Sequence, residues 1–302
     1  MIQGILLIGG SGFIGGHVAR RLAARGLRVT VATRRRERAK HLFTLPTVEV
    51  VEADIYDDAV LARLCAGQDA VVNLVGVLKG GNGDPYGPGF ARAHVDLPGR
   101  VARAAWAANI PTLAHVSALK AAADAPSGYL RSKAAGENAV RTAFPNATIF
   151  RPSVVFGDGD SFLTIFARLL KYAPIMPLAS PDARFQPVWV VNVADAIVES
   201  LLRPEAEGKT FELCGPREYS LRELVEFTCQ VTGRRRLVVG LSPLLSWLQA
   251  FALEVVGGPM TRDNLRSMSV PNVCELGCTL PFNLAPAALE DVAPRYLARP
   301  SR

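Results

Sequence analysis

The stretch LLIGGSGFIGGHVARRL, residues 6–22, constrains this chain more than any other. An apolar run ends in glycines, and a helical pattern opens among them. Gly9, Gly12 and Gly15 form G-x-x-G-x-x-G at that turn. Glycines there permit a tight bend and close approach of backbone to a ligand. Open amides at a helix start, with the helix dipole behind them, favour an anion. At the first strand-to-helix turn of an alternating chain, the spacing points to a dinucleotide pyrophosphate. Elsewhere the same triplet would mean only that a helix packs closely on its strand.

The chain around it alternates as that reading requires. Near-continuous apolar runs at Ile5–Ile8, Arg28–Ala32, Val48–Glu52, Ala70–Leu74 and Thr112–Ser117 read as buried parallel strands. Helical patterns fall between them near Phe13–Arg25, Asp58–Cys65 and Ala91–Ala108. A helix carrying Tyr129 and Lys133 and the strand in ATIFRPSVVFG add a sixth unit. Right-handed crossovers then give an α/β, doubly wound parallel-sheet Rossmann fold. Prolines at 174, 177, 181 and 187 break up the following stretch, and from Pro216 onward the chain is mostly helical. The expected division is a nucleotide-binding domain, 1–156 plus about 190–213, and a smaller, mostly helical C-terminal lobe, about 157–189 plus 214–302, for substrate or partner.

The end of the second strand selects the cofactor. An acidic residue there would serve the ribose hydroxyls of NAD. This chain has VATRRRERAK instead, so Arg34, Arg35 and Arg36 occupy the region. Arginine binds a 2′-phosphate with paired, charge-assisted hydrogen bonds, which favours NADP(H) over NAD(H). A solvated basic loop is the plainer alternative. Asp54 and Ile55 follow the third strand in the order needed to flank an adenine, and NLVG, Asn73–Gly76, ends the fourth where backbone passes the cofactor.

Composition narrows the remaining classes. The net charge is +7 over 302 residues, but most arginines are dispersed and basic and aromatic residues do not interleave, which argues against nucleic acid. Five cysteines without a short framework suggest reduced thiols and a cytoplasmic setting. Cys274 and Cys278 have no second pair beside them, and the four histidines are scattered, so no metal site is expected. The opening MIQGILLIGG reads as a buried strand rather than a leader. No apolar stretch reaches the roughly 18 residues of a transmembrane span.

Three elements, GGSGFIG, HVSALKA and YLRSK, follow one another in this order, and RPSVVFG comes after them. With them the chain resembles the extended or atypical short-chain dehydrogenase/reductase family, also described as NAD-dependent epimerase/dehydratase-like. YLRSKAAGENAVRTAFPNATIFRPSVVFGDGDSFL and the late GPMTRDNLRSM resemble one branch of it. That branch holds the dehydrogenase-like accessory subunit of mitochondrial complex I and its free-standing bacterial relatives. The resemblance implies roles. Tyr129 would be the acid–base residue, Lys133 would hold the nicotinamide ribose and lower the phenol's pKa, and Ser117 would orient the carbonyl. Ser11, Phe13, Ile14, Leu74, Val75, Gly76, Pro152 and Val154 would join Gly9, Gly12, Gly15, Tyr129 and Lys133 in lining the nucleotide. An Asn used by many members has no clear counterpart, and Asn192 is expected to make only a loop or helix-cap contact. In the accessory subunit the nucleotide is held to be structural, so the Tyr–Lys pair alone does not decide between turnover and binding.

Two segments could serve the substrate or a partner. Leu78–His94, rich in Gly and Pro, reads as a lid or a surface loop. Leu244–Val256 carries an apolar stripe that most simply predicts a buried helix; the alternative is a peripheral membrane or respiratory-complex contact, placing the protein against the inner membrane. The leading expectation is an NADP-dependent oxidoreductase on a small apolar carbonyl or alcohol of unidentified structure, linked to quinone or respiratory metabolism. The alternatives are a non-catalytic accessory or assembly protein with structural NADPH, and a nucleotide-sugar epimerase/dehydratase, which the Thr261–Asp263 element and the arginines disfavour.

Overall fold

A computed structural model describes residues 2–275 and 279–298. Seven parallel strands form the central sheet: β1 (Gly4–Ile8), β2 (Arg28–Thr33), β3 (Val48–Glu52), β4 (Ala70–Asn73), β5 (Thr112–Val116), β6 (Thr148–Pro152) and β7 (Thr210–Leu213). Their spatial order is β7-β6-β5-β4-β1-β2-β3. The order reverses between β1 and β4, where a crevice opens outside the carboxyl ends of the strands. Five expected strands stand within a residue of where the apolar runs put them. Covered on both faces, a strand has no polar alternation to blur its limits.

Helices cover the two faces. On one lie α1 (Phe13–Ala24) and, later in the chain, the helix Val190–Leu201, with Val18, Leu22, Val193 and Ile197 packed on Ile5, Leu7 and Val72. On the other lie α2 (Asp58–Cys65), α3 (Leu97–Ala107) and α4 (Gly128–Ala143), with Leu61, Val101 and Val140 on Leu6, Ile8 and Leu113. Asp57 caps α2, its carboxylate accepting from the amides of Ala59 and Val60. The expected helix at 91–108 is not uniform. It begins with a π-helical turn, Ala91–Asp96, before α3 continues.

A third apolar core joins the remaining elements, from Phe156 and Leu163 through Leu224 and Val225 to Leu289 and Leu297. It includes α5 (Leu163–Tyr172), the strand pair Ile175–Leu178 and Leu237–Gly240, and, numbering Val190–Leu201 as α6, α7 (Leu221–Val231). α8 (Pro243–Val255) and α9 (Arg262–Ser267) follow. Asn192 bridges α6 to the C-terminal segment, donating to the Ala285 carbonyl and accepting from the Ala287 amide.

Two expectations are corrected. Cys214, after β7, is disulfide-bonded to Cys274 across 60 residues, so these two are not free thiols. The fold brings the segment around Asn272 beside the β6 and β7 ends, a proximity that cysteine spacing does not encode. Cys65 and Cys229 are free and buried, and Cys278 lies outside the described residues. Second, the helix at 244–256 is not buried. α8 buries Ser246 and Ala250 and turns Leu244, Leu245, Trp247, Leu248, Phe251 and Val255 outward. Among the described residues no helix is long and apolar enough to cross a membrane.

Candidate functional site

The glycine turn is built as a cradle. Gly9 adopts φ +87°, and a Cβ on it would stand 3.1 Å from the Val75 amide. Gly15 lets α1 lie against the turn, since a Cβ there would come 2.5 Å from the Gly9 carbonyl oxygen. Gly12 is exposed, caps α1 with no side-chain hydrogen bond, and leaves the helix start open. Phe13 and Ile14 form the first turn, and the Phe13 ring reaches toward Gly157 beyond β6. A bare helix start over glycine is the chemistry of an anion site.

At the end of β2 the Thr33 hydroxyl donates to the Arg35 carbonyl and accepts from Ser11. This hook turns the chain so that Arg34 and Arg35 stand exposed beside the glycine loop. Arg36 leans instead on Phe43. Asp54 is exposed and accepts from the Tyr56 amide, while Ile55 is buried in the α2–α4 core. Leu74, Val75 and Gly76 leave β4 opposite Gly9. Pro152 closes β6, and the Val154 amide is held by Asn272.

The Tyr–Lys face lies across this crevice. Ser127 caps α4 by accepting from the Leu130 amide, and Tyr129 and Lys133 then share one face of the helix. Lys133 is buried and its Nζ donates to the Val116 carbonyl at the end of β5. Gly76 packs against the same ammonium. Burial pushes Lys133 down to about 8, with Glu137 opposing the shift. Glu137, one turn on, is tied to Arg151 of β6 by hydrogen bonds of 2.6 and 2.9 Å. Ser117 follows Val116; its hydroxyl is buried and, among the described residues, has no partner. A buried polar group without a partner is unfavourable and calls for a ligand or water.

Burial pushes the Tyr129 phenol up to about 12, since low-polarity surroundings disfavour phenolate, so the lowering expected from Lys133 is not the net result.

Two histidines complete the wall, and no spacing in the chain points to them. His94, on the π-helical turn, accepts at Nε2 from the Val77 amide, and its Nδ1 lies 2.9 Å from Ser132 Oγ. The Ser132 hydroxyl donates to the Tyr129 carbonyl. His94 therefore carries its proton on Nδ1 and links the loop after β4 to the Tyr129 turn. Its ring stacks on Phe90 and meets Tyr129 edge-on. It thus faces Tyr129 and feels the Lys133 charge. Gly136 permits this contact, since a Cβ there would fall 1.8 Å from the His94 carbonyl oxygen. His115 Nδ1 accepts from Asn73, whose own Oδ1 accepts from the Val75 amide. Burial, with Lys133 adding to it, holds His94 at about 2 and His115 at about 3, so both are neutral.

The loop at 78–94 is pinned rather than loose. Lys79 donates to the Gly257 and Gly258 carbonyls, Asn82 to Glu254, and Arg131 of α4 to the Pro85 carbonyl.

A glycine cradle facing a Ser–Tyr–Lys set at the carboxyl ends of the strands defines a class of protein, and the sequence relationships agree with it. Residues 5–214 match the NAD dependent epimerase/dehydratase family, and the chain belongs to that family. It is 32% identical over 277 residues, 88% of this chain and 72% of the relative, to NADH dehydrogenase (ubiquinone) 1 alpha subcomplex subunit 9, mitochondrial, of Mus musculus. It is 33% identical over 194 residues to the ceramide reductase of Caulobacter vibrioides, 64% of this chain and 59% of that protein. Among solved structures, DesIV, a dTDP-glucose 4,6-dehydratase of Streptomyces venezuelae with NAD bound, superposes with a TM-score of 0.74 at 19% identity, covering 98% of this chain and 96% of that one. Pal from Bacillus thuringiensis gives 0.76 at 15% identity, covering 98% of each chain. At such identities these two establish the fold alone.

Proposed function

We propose that the protein is an NADP(H)-dependent oxidoreductase of the short-chain dehydrogenase type, reducing an apolar carbonyl at the membrane surface. The observation that carries this is the buried Ser117 hydroxyl, without a partner among the described residues, directly after the Val116 carbonyl that Lys133 holds. A purely structural nucleotide site needs the Tyr–Lys pair for the ribose but has no use for an orphaned hydroxyl there.

In this reading the glycine cradle and the start of α1 hold the pyrophosphate, and Arg34 and Arg35 take the 2′-phosphate. Asp54 and Ile55 flank the adenine. Lys133 and Tyr129 hold the nicotinamide ribose, with Leu74–Gly76, Pro152 and Val154 lining the ring. When bound, the dinucleotide supplies a hydride to the carbonyl carbon. Ser117 donates a hydrogen bond to the carbonyl oxygen, and Tyr129 delivers the proton. A phenol held at about 12 is protonated at neutral pH, as a proton donor must be. Lys133, at about 8, is largely charged at neutral pH and stabilises the phenolate as it forms. Beyond the crevice, the lobe of about 157–189 plus 214–302 receives the substrate or partner. The outward apolar face of α8 and the similarity to a ceramide reductase both favour an apolar, lipid-like carbonyl and a cytoplasmic protein seated against the membrane.

A second reading, a non-catalytic accessory or assembly protein with structural NADPH, is favoured by the 32% identity to the complex I subunit. Nucleotide exchange and turnover separate the two. The expected result is reversible NADPH exchange and carbonyl-dependent NADPH oxidation that falls about 100-fold or more in Tyr129→Phe. Stoichiometric nucleotide that does not exchange, with no turnover for Tyr129→Phe to remove, would establish the structural reading instead.

A further inference from the structure

We propose that Asp263 is a positioning residue for Tyr129, through which the seat of α8 and α9 sets the reacting face. The kinetic arm of this proposal rests on the oxidoreductase reading above.

The Asp263 carboxylate spans the start of α4. Its Oδ1 accepts from the Gly128 amide at 2.7 Å and its Oδ2 from the Tyr129 amide at 3.0 Å. Ser127 serves the Leu130 amide, so the local cap leaves the two amides before it to a residue more than 130 positions away. Gly128 keeps the approach open, since a Cβ there would stand 3.4 Å from Asp263 Oδ1 and 3.3 Å from Tyr86 Cα. Asp263 also lies in the first turn of α9, where Thr261 and Asn264 form a capping box. Two helix starts thus converge on one carboxylate.

The clamp is anchored in α8. Arg262 is paired with Glu254 through Nε–Oε2 and NH2–Oε1 contacts of 3.0 and 3.3 Å, and its amide donates to the same carboxylate. Its guanidinium covers the Phe251 ring, and Glu254 also accepts from Asn82. α8 buries only Ser246 and Ala250 of its own length. Its seat therefore depends on these polar contacts, and they continue without a break from Glu254 through Arg262 and Asp263 to the Tyr129 amide. A displacement of about 1 Å at a reacting group can cost about 100-fold in rate. A carboxylate gripping the backbone of the reacting residue itself is placed to prevent one.

The test compares Asp263→Asn, Asp263→Glu and Glu254→Gln with wild type, following kcat, NADPH Kd and melting temperature. The expected result is a kcat about 10-fold or more lower in Asp263→Asn with NADPH Kd within about twofold, a smaller loss in Glu254→Gln, and partial recovery in Asp263→Glu. Unchanged kcat overturns the proposal. So does a parallel fall of kcat, NADPH affinity and melting temperature in all three variants, which would make the contact merely structural. Wild type that turns over no carbonyl would refute the oxidoreductase reading on its own. The clamp is then decided by the fluorine resonance of 3-fluorotyrosine placed at position 129. A shift in Asp263→Asn supports the proposal, and an unmoved line overturns it.

Discussion

Acid should unfold this protein earlier than its carboxylates would. His94 and His115 are each about 1% exposed, and the fold holds them at about 2 and about 3. In the unfolded chain both return to about 6.5. Below that value the unfolded state binds two protons that the native state refuses, so stability is lost as pH falls. The loss approaches about 1.4 kcal/mol per unit once the unfolded histidine is fully protonated, so lowering the pH from 6.5 to 5 removes about 1.7 kcal/mol for each histidine and about 3 for the pair. That is a large part of the 5–15 kcal/mol typical of a domain. Carboxylates held low in the native state, such as Glu254 at about 2, give up their contribution only below their unfolded value and so do not confuse this window. His17 and His41 are also shifted down, chiefly by burial, and contribute in the same sense. Urea unfolding at pH 7, 6 and 5 reads the effect directly. His94→Asn with His115→Gln should be less stable at pH 7, yet should lose about 3 kcal/mol less than wild type between pH 6.5 and 5. Equal losses in the two proteins would refute the assignment of neutral, buried imidazoles.

Two further outcomes follow from exposed residues. Arg34→Ala with Arg35→Ala should weaken NADP(H) binding about 10- to 100-fold and NAD(H) binding little, since a charged hydrogen bond is worth about 1.5–3 kcal/mol; equal weakening measured by titration would overturn the cofactor preference. Leu244→Asn with Leu248→Asn should leave the melting temperature unchanged, because both side chains are exposed, and should reduce co-sedimentation with anionic vesicles about 10-fold or more; unchanged vesicle binding would remove α8 from the membrane reading.

The sheet and the nucleotide crevice were legible because local rules write them. A strand covered on both faces has to be apolar throughout, so residues 5–8 and 70–72 declare themselves. Gly9 and Gly15 are required by contacts with backbone a few residues away or directly opposite, and such contacts leave a fixed spacing. Asp58–Cys65 has Asp57 before it as a cap, and its limits were legible to the residue. The other half of the site depends on distance. His94 looked like one of four scattered histidines because nothing in ARAHVD announces a π turn. The Cys214–Cys274 bridge and the Asp263 clamp join segments whose approach is decided by the third core, and no period or spacing in the chain records it.

α8 makes the same point through hydropathy. Its stripe of leucines and aromatics has the spacing of a core-facing helix, and a stripe carries no sign for which side is inside. The sign comes from what fits beneath. Ser246 and Ala250 lie one turn apart and are small enough for α8 to sit close to the strand Ile175–Leu178, where Gln249 reaches the Pro177 carbonyl and Ser246 the Ser180 amide. The large residues are then left on the outer face. There they gain less from folding than core residues do, since apolar area stabilises only when it leaves water. A helix that turns its bulk outward and anchors itself by Glu254 and Arg262 is built to keep that face available, and its anchor ends on the backbone of Tyr129.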